Sequence, residues 1–229
     1  MQNPTHQPVV TSVPRTCLAA GAVLHEREGR TVVADYGSVP GEMAVCVKSV
    51  GLADRSDCGV FELRGEQGLL DRALVDRFGD PPLAIGSARR LRSVWYLRLD
   101  ARRTLLVGKH SALASGPAIG RGRDRTDLPH RDIGASLAIV GLVGPRAARL
   151  LAAAGLPGEL AIGAIGTDPG DSSLVAILRE SPRRYLALVR ADAADAFWQR
   201  LLSAGEPLGA AFVGYDALTL LNASAVSAG

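Results

Sequence analysis

Short, mostly apolar runs bounded by glycines or polar residues recur along the chain. The first, Gly59-Val-Phe-Glu-Leu-Arg-Gly65, reads as a strand closed by a glycine. Glu66 to Leu74 then places Leu69, Leu70, Ala73 and Leu74 on one side, which predicts a helix. Ala138-Ile-Val-Gly-Leu-Val-Gly144 repeats the strand, Pro145 suits a first helical turn, and Ala147 to Ala154 supplies an apolar helix that Gly155 stops. Each unit leads into a predicted hairpin. Val94–Leu99 and Thr104–Val107 flank the turn Asp100–Arg103, and Leu174–Leu178 and Tyr185–Val189 flank a turn over 179–184. The closing glycines lie 79 residues apart and the second hairpin strands 81 apart, so the pattern predicts two copies of one half. A last helix is expected over Asp192–Ala204, opened by the acid and ended by Gly205. The expected organisation is an arm over 1–15, a first half over 16–114, a linker loop over 115–127, a second half over 128–222 and a small, polar tail over 223–229.

Charge and composition narrow this picture. The 26 Lys plus Arg against 23 Asp plus Glu give a net charge of +3, and the arginines are scattered, so nothing in bulk charge points to nucleic acid. The 3 cysteines, Cys17, Cys46 and Cys58, form no Cys-x-x-Cys pair, so neither a disulfide framework nor a zinc site is indicated and a reducing cytoplasm fits. No long uncharged apolar run predicts a membrane span, and Met1 to Pro14 lacks the pattern of a secretory leader.

Candidate chemistry is sparse. The 4 histidines have no metal-ligand spacing, and no Gly-x-Ser-x-Gly elbow is present. Gly116, Gly120 and Gly122 sit in an arginine-rich loop without the Gly-Lys-Ser/Thr that a phosphate cradle needs. Lys109-His110-Ser111 leaves the end of an apolar strand, a place where pockets acquire directional groups, so Lys109 and His110 are ligand candidates beside the plain reading of a strand exit. Trp95 and Tyr96 point to alternate faces of one strand, where a core role for one ring is expected.

Taken in order, the motifs resemble those of the glycine cleavage T-protein, or aminomethyltransferase, family. His25-Glu-Arg-Glu-Gly29 leads to Asp35-Tyr-Gly37 and Glu42, Val50-Gly-Leu-Ala-Asp-Arg-Ser56 follows, and Arg184-Tyr-Leu-Ala-Leu, Phe197-Trp198 and Val213-Gly-Tyr-Asp-Ala-Leu218 close the series. The resemblance spans roughly residues 20 to 222. It implies an α+β fold of two pseudo-repeated strand-helix-hairpin halves, as in that family's folate-binding core, without its C-terminal β-barrel. It implies tetrahydrofolate as the ligand, with Asp57, Cys58, Glu180, Tyr185, Tyr215 and Asp216 as contacts. The family's catalytic aspartate falls at Leu91 and Arg92, its pterin-gripping glutamate falls at Pro182 with Glu180 the nearest acid, and the arginine of its Arg-Asp pair becomes Tyr215. A shifted alignment would bring Asp76 or Asp80 to the acid position instead.

Loss of buried carboxylate partners costs a pterin roughly 1 to 3 kcal/mol apiece. The resemblance therefore implies a member with a degenerate acid, similar to the small gamma subunit of heterotetrameric sarcosine oxidase. Such a member works with a protein partner or by self-association, beside an amine-oxidising or one-carbon enzyme. The alternative it leaves open is a stand-alone tetrahydrofolate-dependent transferase with a relocated acid, for which Asp57, Glu180 and Asp216 are available. No catalytic residue is assigned.

Overall fold

The computed structural model describes residues 13–79, 81–114 and 129–227. In chain order its elements are α1 (Arg15–Ala19), β1 (Val23–Arg27), β2 (Arg30–Asp35), α2 (Val39–Lys48), β3 (Val50–Asp54), β4 (Cys58–Arg64), α3 (Gln67–Phe78), β5 (Ser87–Leu91), β6 (Val94–Asp100), β7 (Arg103–Lys109) and α4 (His110–Ala114). There follow β8 (His130–Asp132), β9 (Leu137–Val143), α5 (Ala147–Ala153), β10 (Ile165–Gly166), β11 (Leu174–Ser181), β12 (Arg184–Arg190), α6 (Ala194–Gly205), β13 (Ala210–Phe212) and α7 (Tyr215–Ser227).

Two sheets carry the fold. One runs β5-β6-β7-β4-β8 and the other β10-β11-β12-β9-β3-β13, while β1 and β2 form a separate hairpin. The order of edge strand, hairpin pair and first strand is the same in both. The strand added beyond it is exchanged: β8, which precedes β9 in the chain, pairs with β4, and β3, which precedes β4, pairs with β9. Main-chain hydrogen bonds thus tie strands from early and late parts of the chain into each sheet.

Strict alternation explains the layering. In β6, Trp95 and Leu97 face the inter-sheet core while Val94 and Tyr96 face α3; in β12, Leu186 and Leu188 face between the sheets while Tyr185, Ala187 and Val189 face α5 and α6. The central strands β6, β7, β9 and β12 are buried on both faces, which is why they are nearly continuous apolar runs, while the edge strands β5 and β8 are polar and more exposed. Both Trp95 and Tyr96 are core rings, one on each face, where the pattern had placed one. A smaller core under α2 and α7 joins Cys46, Ala53, Val143, Val213 and Leu218.

The structure departs from several expectations. The second hairpin turns at Pro182 and Arg183 alone, because the polar run Arg179–Ser181 belongs to β11. Asp192 does not cap α6: its carboxylate accepts from Nε and Nη2 of Arg190, and it lies inside a 3-10 turn, Ala191–Ala193, that precedes the helix. The expected tail begins as helix, since α7 continues to Ser227, with the hydroxyls of Thr219 and Ser224 bonded back to carbonyls one turn earlier. The start of α1 at Arg15 falls at the end of the expected arm. The glycine-rich loop with Gly116, Gly120 and Gly122, and Asp80, lie outside the described residues.

One buried acid fastens the corner where β2, α2 and α7 meet. Glu42, in the first turn of α2, accepts the backbone N–H of Tyr36 at 2.7 Å and that of Gly214 at 2.7 Å, which satisfies both carboxylate oxygens. Gly214 is required there, because a Cβ would lie 2.1 Å from the Ala34 carbonyl oxygen.

Candidate functional site

A cleft of about 650 Å³ opens at the end of the inter-sheet seam. It is walled by the loop after β3, by β6, β7 and β11, and by α7. Arg55 forms its floor. The stem of Arg55 lies over Gly141, where a Cβ would come within 3.1 Å of Cγ, so glycine in β9 makes room for the side chain. Its guanidinium grips Asp57 in a bidentate pair, Nε to Oδ1 at 2.7 Å and Nη2 to Oδ2 at 3.0 Å, and donates to Cys58 Sγ at 3.2 Å. Burial works against the charge on Arg55, but Cys58 and Asp57 outweigh it and hold the guanidinium above its ordinary value. Burial pushes the Cys58 thiol up to about 12 despite the opposing pull of Arg55.

Opposite stand Glu180 and Arg184. Glu180 Oε1 accepts the Trp95 indole N–H at 2.9 Å, while its second oxygen has no hydrogen-bond partner among the described residues. Arg184 is half-buried and its guanidinium forms no hydrogen bond or ion pair among the described residues; burial first, then the nearby cations Arg55 and Arg90, lower its affinity for its proton, with Glu180 opposing. Lys109 Nζ lies 3.5 Å from the Tyr215 hydroxyl at the rim.

Of the residues singled out in the sequence, Asp57, Cys58, Lys109, Glu180, Tyr185 and Tyr215 line this cleft. The Tyr185 hydroxyl, however, is committed to the Gly158 carbonyl at 2.9 Å. His110 is not at the cleft: its Nδ1 meets Arg30 at 3.0 Å, beneath β4. Asp216 turns outward to Arg27 at 3.2 Å. The positions expected to have replaced the acid do not line the cleft either, since Arg92 occupies a tight turn at φ 54° and Leu91 packs toward α3. Their neighbours Arg90 and Ser93 line it instead, and Asp76, on α3, does not.

Sequence reasoning missed Arg55, Trp95 and Arg184 as cleft residues. For Arg55 a signal was present: a long cation between Asp54 and Ser56, at the exit of a wholly buried strand, needs a counter-ion close by. Among the described residues no group of three or more His, Cys, Asp or Glu side chains is placed to hold a metal ion, and no helix is long and apolar enough to cross a membrane.

The fold is α+β and aminomethyltransferase-like. The chain superposes on the glycine cleavage system aminomethyltransferase T from Bartonella henselae with a TM-score of 0.70 at 21% identity, covering 89% of this chain and 58% of that one. It also superposes on a chain of the heterotetrameric sarcosine oxidase from Corynebacterium sp. U-96, with a TM-score of 0.53 at 19% identity, over 76% of this chain and 93% of that one. The chain thus spans well under two thirds of the aminomethyltransferase. No family model matches the sequence, and no curated protein matches it.

Proposed function

We propose that the chain is a tetrahydrofolate-binding member of the aminomethyltransferase fold that has no catalytic acid and acts beside a protein partner in amine oxidation or one-carbon transfer. The observation that carries this reading is the state of the acids at the cleft. Asp57 has both oxygens occupied by Arg55, and the Leu91 and Arg92 positions lie away from it. Glu180 alone keeps an unoccupied oxygen, and Trp95 fixes its orientation. Such a carboxylate suits the amino edge of a pterin, held by paired hydrogen bonds. The common strand order of the two sheets supports reading the halves as a pseudo-repeat. Exposed Val47 on α2 and Leu220 on α7, two helices that pack together, support an apolar contact with the partner near the cleft rim.

Calorimetry of the full chain with tetrahydrofolate tests the reading. Binding weakened about tenfold or more by Glu180→Gln is expected. Absence of heat at millimolar ligand, or equal affinity in the variant, would remove it. The second reading, a stand-alone transferase, has Glu180 in its favour as a relocated acid, because its free oxygen faces the same cleft as Arg184. Transfer of a one-carbon unit by the purified chain alone would establish that reading over the first.

A further inference from the structure

Strand alternation sends two charged side chains of opposite sign into the same end of the inter-sheet seam. On β12, Arg184 follows the face of Leu186 and Leu188; on β11, Glu180 follows that of Ala176 and Leu178, and all four apolar residues pack between the sheets. The hairpin sets these strands side by side, with Ser181 opposite Arg184, and the bond from the Trp95 indole fixes the direction of Glu180. Both side chains line the cleft of about 650 Å³, within the usual size of a small-molecule site. No ion pair joins them among the described residues. Neither the second Glu180 oxygen nor any Arg184 nitrogen is among the unpartnered side-chain atoms sealed from solvent, so both groups are open to the cleft.

The other charges of the cleft have their partners or their water. Arg55 and Asp57 hold each other. Arg90 and Lys109 are exposed; one donates to the Arg92 carbonyl at 3.0 Å and the other lies 3.5 Å from the Tyr215 hydroxyl, and solvent serves the donors that remain. Arg184 differs from them in being half-buried without an acceptor, and a polar group taken from water needs a hydrogen bond in return.

The seam therefore presents an acceptor of fixed direction beside a guanidinium, which can only donate. A tetrahydropterin carries the complementary row along one edge: the 2-amino donor, the N3–H donor and the 4-oxo acceptor. Exchanging the 4-oxo group for a 4-amino group sets donor against donor and leaves both unpaired, a mismatch that discriminates more strongly than a change of shape. Building on the reading that the cleft takes tetrahydrofolate, we propose that Arg184 donates to the 4-oxo oxygen of the pterin while Glu180 accepts from its N3–H and 2-amino groups, so that Arg184 selects 4-oxo over 4-amino pteridines. The role belongs to Arg184 and not to Arg90 or Lys109, because it alone shares the face and the strand pair of Glu180.

Calorimetry of the full chain with tetrahydrofolate and with tetrahydroaminopterin, the same molecule bearing a 4-amino group, tests the assignment. The parent is expected to bind tetrahydrofolate tighter by about tenfold or more. Arg184→Met removes the guanidinium without breaking a hydrogen bond of that group among the described residues, and it narrows the ratio toward one; Arg184→Lys, which keeps a donor, restores part of it. A merely structural defect would weaken both ligands alike and leave the ratio where it was. Equal affinity of the parent for the two ligands, or an unchanged ratio in Arg184→Met, overturns the proposal while the folate reading stands. No heat from either ligand at millimolar concentration removes both together. The parent ratio needs no variant, so a variant that does not fold leaves the test intact.

Discussion

Arg55 stands between the cleft and a smaller cavity of about 250 Å³ bordered by Asp54 and Ser56, and the neighbouring carboxylates on its two sides are treated in opposite ways. On the larger side, Asp57 is saturated by Arg55 and Glu180 is oriented by Trp95. On the smaller side, Asp54 keeps an oxygen with no partner among the described residues, although it is more deeply buried than either residue of the Arg55–Asp57 pair. Glu42 provides the internal standard, being a buried acid of the same region whose two oxygens each accept a backbone N–H. A buried acid that is fully hydrogen-bonded holds the fold together. One that is left short costs stability.

The largest expected effect comes from removing the partition itself. Arg55→Ala leaves Asp57 partly buried without its counter-ion, and a loss of about 3 kcal/mol or more is expected from denaturant unfolding. A variant as stable as the parent would show that the Arg55–Asp57 pair is not what separates the cavities.

Asp54→Asn comes next and sharpens the contrast through pH. Burial, opposed by hydrogen bonds from Ser56 and reinforced by Asp57, raises the Asp54 carboxyl from 3.8 to about 6. The folded chain therefore holds this proton between pH 4 and 6 while the unfolded chain has released it. Stability contributed by the group is present below that window and declines as pH rises through it. Relative to the parent, Asp54→Asn is expected to gain on the order of 2 kcal/mol at pH 7 and nothing at pH 4, read from unfolding midpoints at the two values. Equal differences at both would remove the buried-charge explanation.

Trp95→Phe deletes the donor to Glu180 and opens a small void between the sheets, for an expected loss of about 1–2 kcal/mol. The smallest effect concerns Cys58, whose thiol stands at about 12 against an ordinary 9.0. Its thiolate is scarcer by about a thousandfold at neutral pH, so maleimide labelling slower than that of free cysteine by a similar factor is expected. Labelling at the rate of free cysteine would contradict the closed environment drawn for it.

That Trp95 and Tyr96 point to opposite faces was legible in the sequence, because side chains alternate along any strand; that both faces are buried was not, because a doubly buried strand is apolar throughout and shows no period of two. Nor was the exchange of β3 and β8. It is set by distant pairings such as Leu52 with Leu142, and local pattern carries no information about the partner sheet. The turn after Leu178 was read too long, since Arg179, Glu180 and Ser181 are polar in a strand that borders a cleft. The cap assigned to Asp192 failed because Arg190, two residues away, captures both carboxylate oxygens. Six of the eight candidate residues converge because the family-like motifs lie at strand exits on one end of the sheets. His110 and Asp216 do not, since Arg30 and Arg27 draw them elsewhere. The unpartnered oxygen of Asp54 was not legible, because an acid at the end of a strand looks the same whether its oxygens are satisfied or not.

The most direct measurement is a single-turnover assay of one-carbon transfer by the purified full chain at saturating tetrahydrofolate, with binding heat recorded in parallel. The account predicts heat of binding without transfer above the buffer rate. Transfer that is lost on changing Glu180→Gln or Asp57→Asn, in variants that still bind tetrahydrofolate, would contradict it.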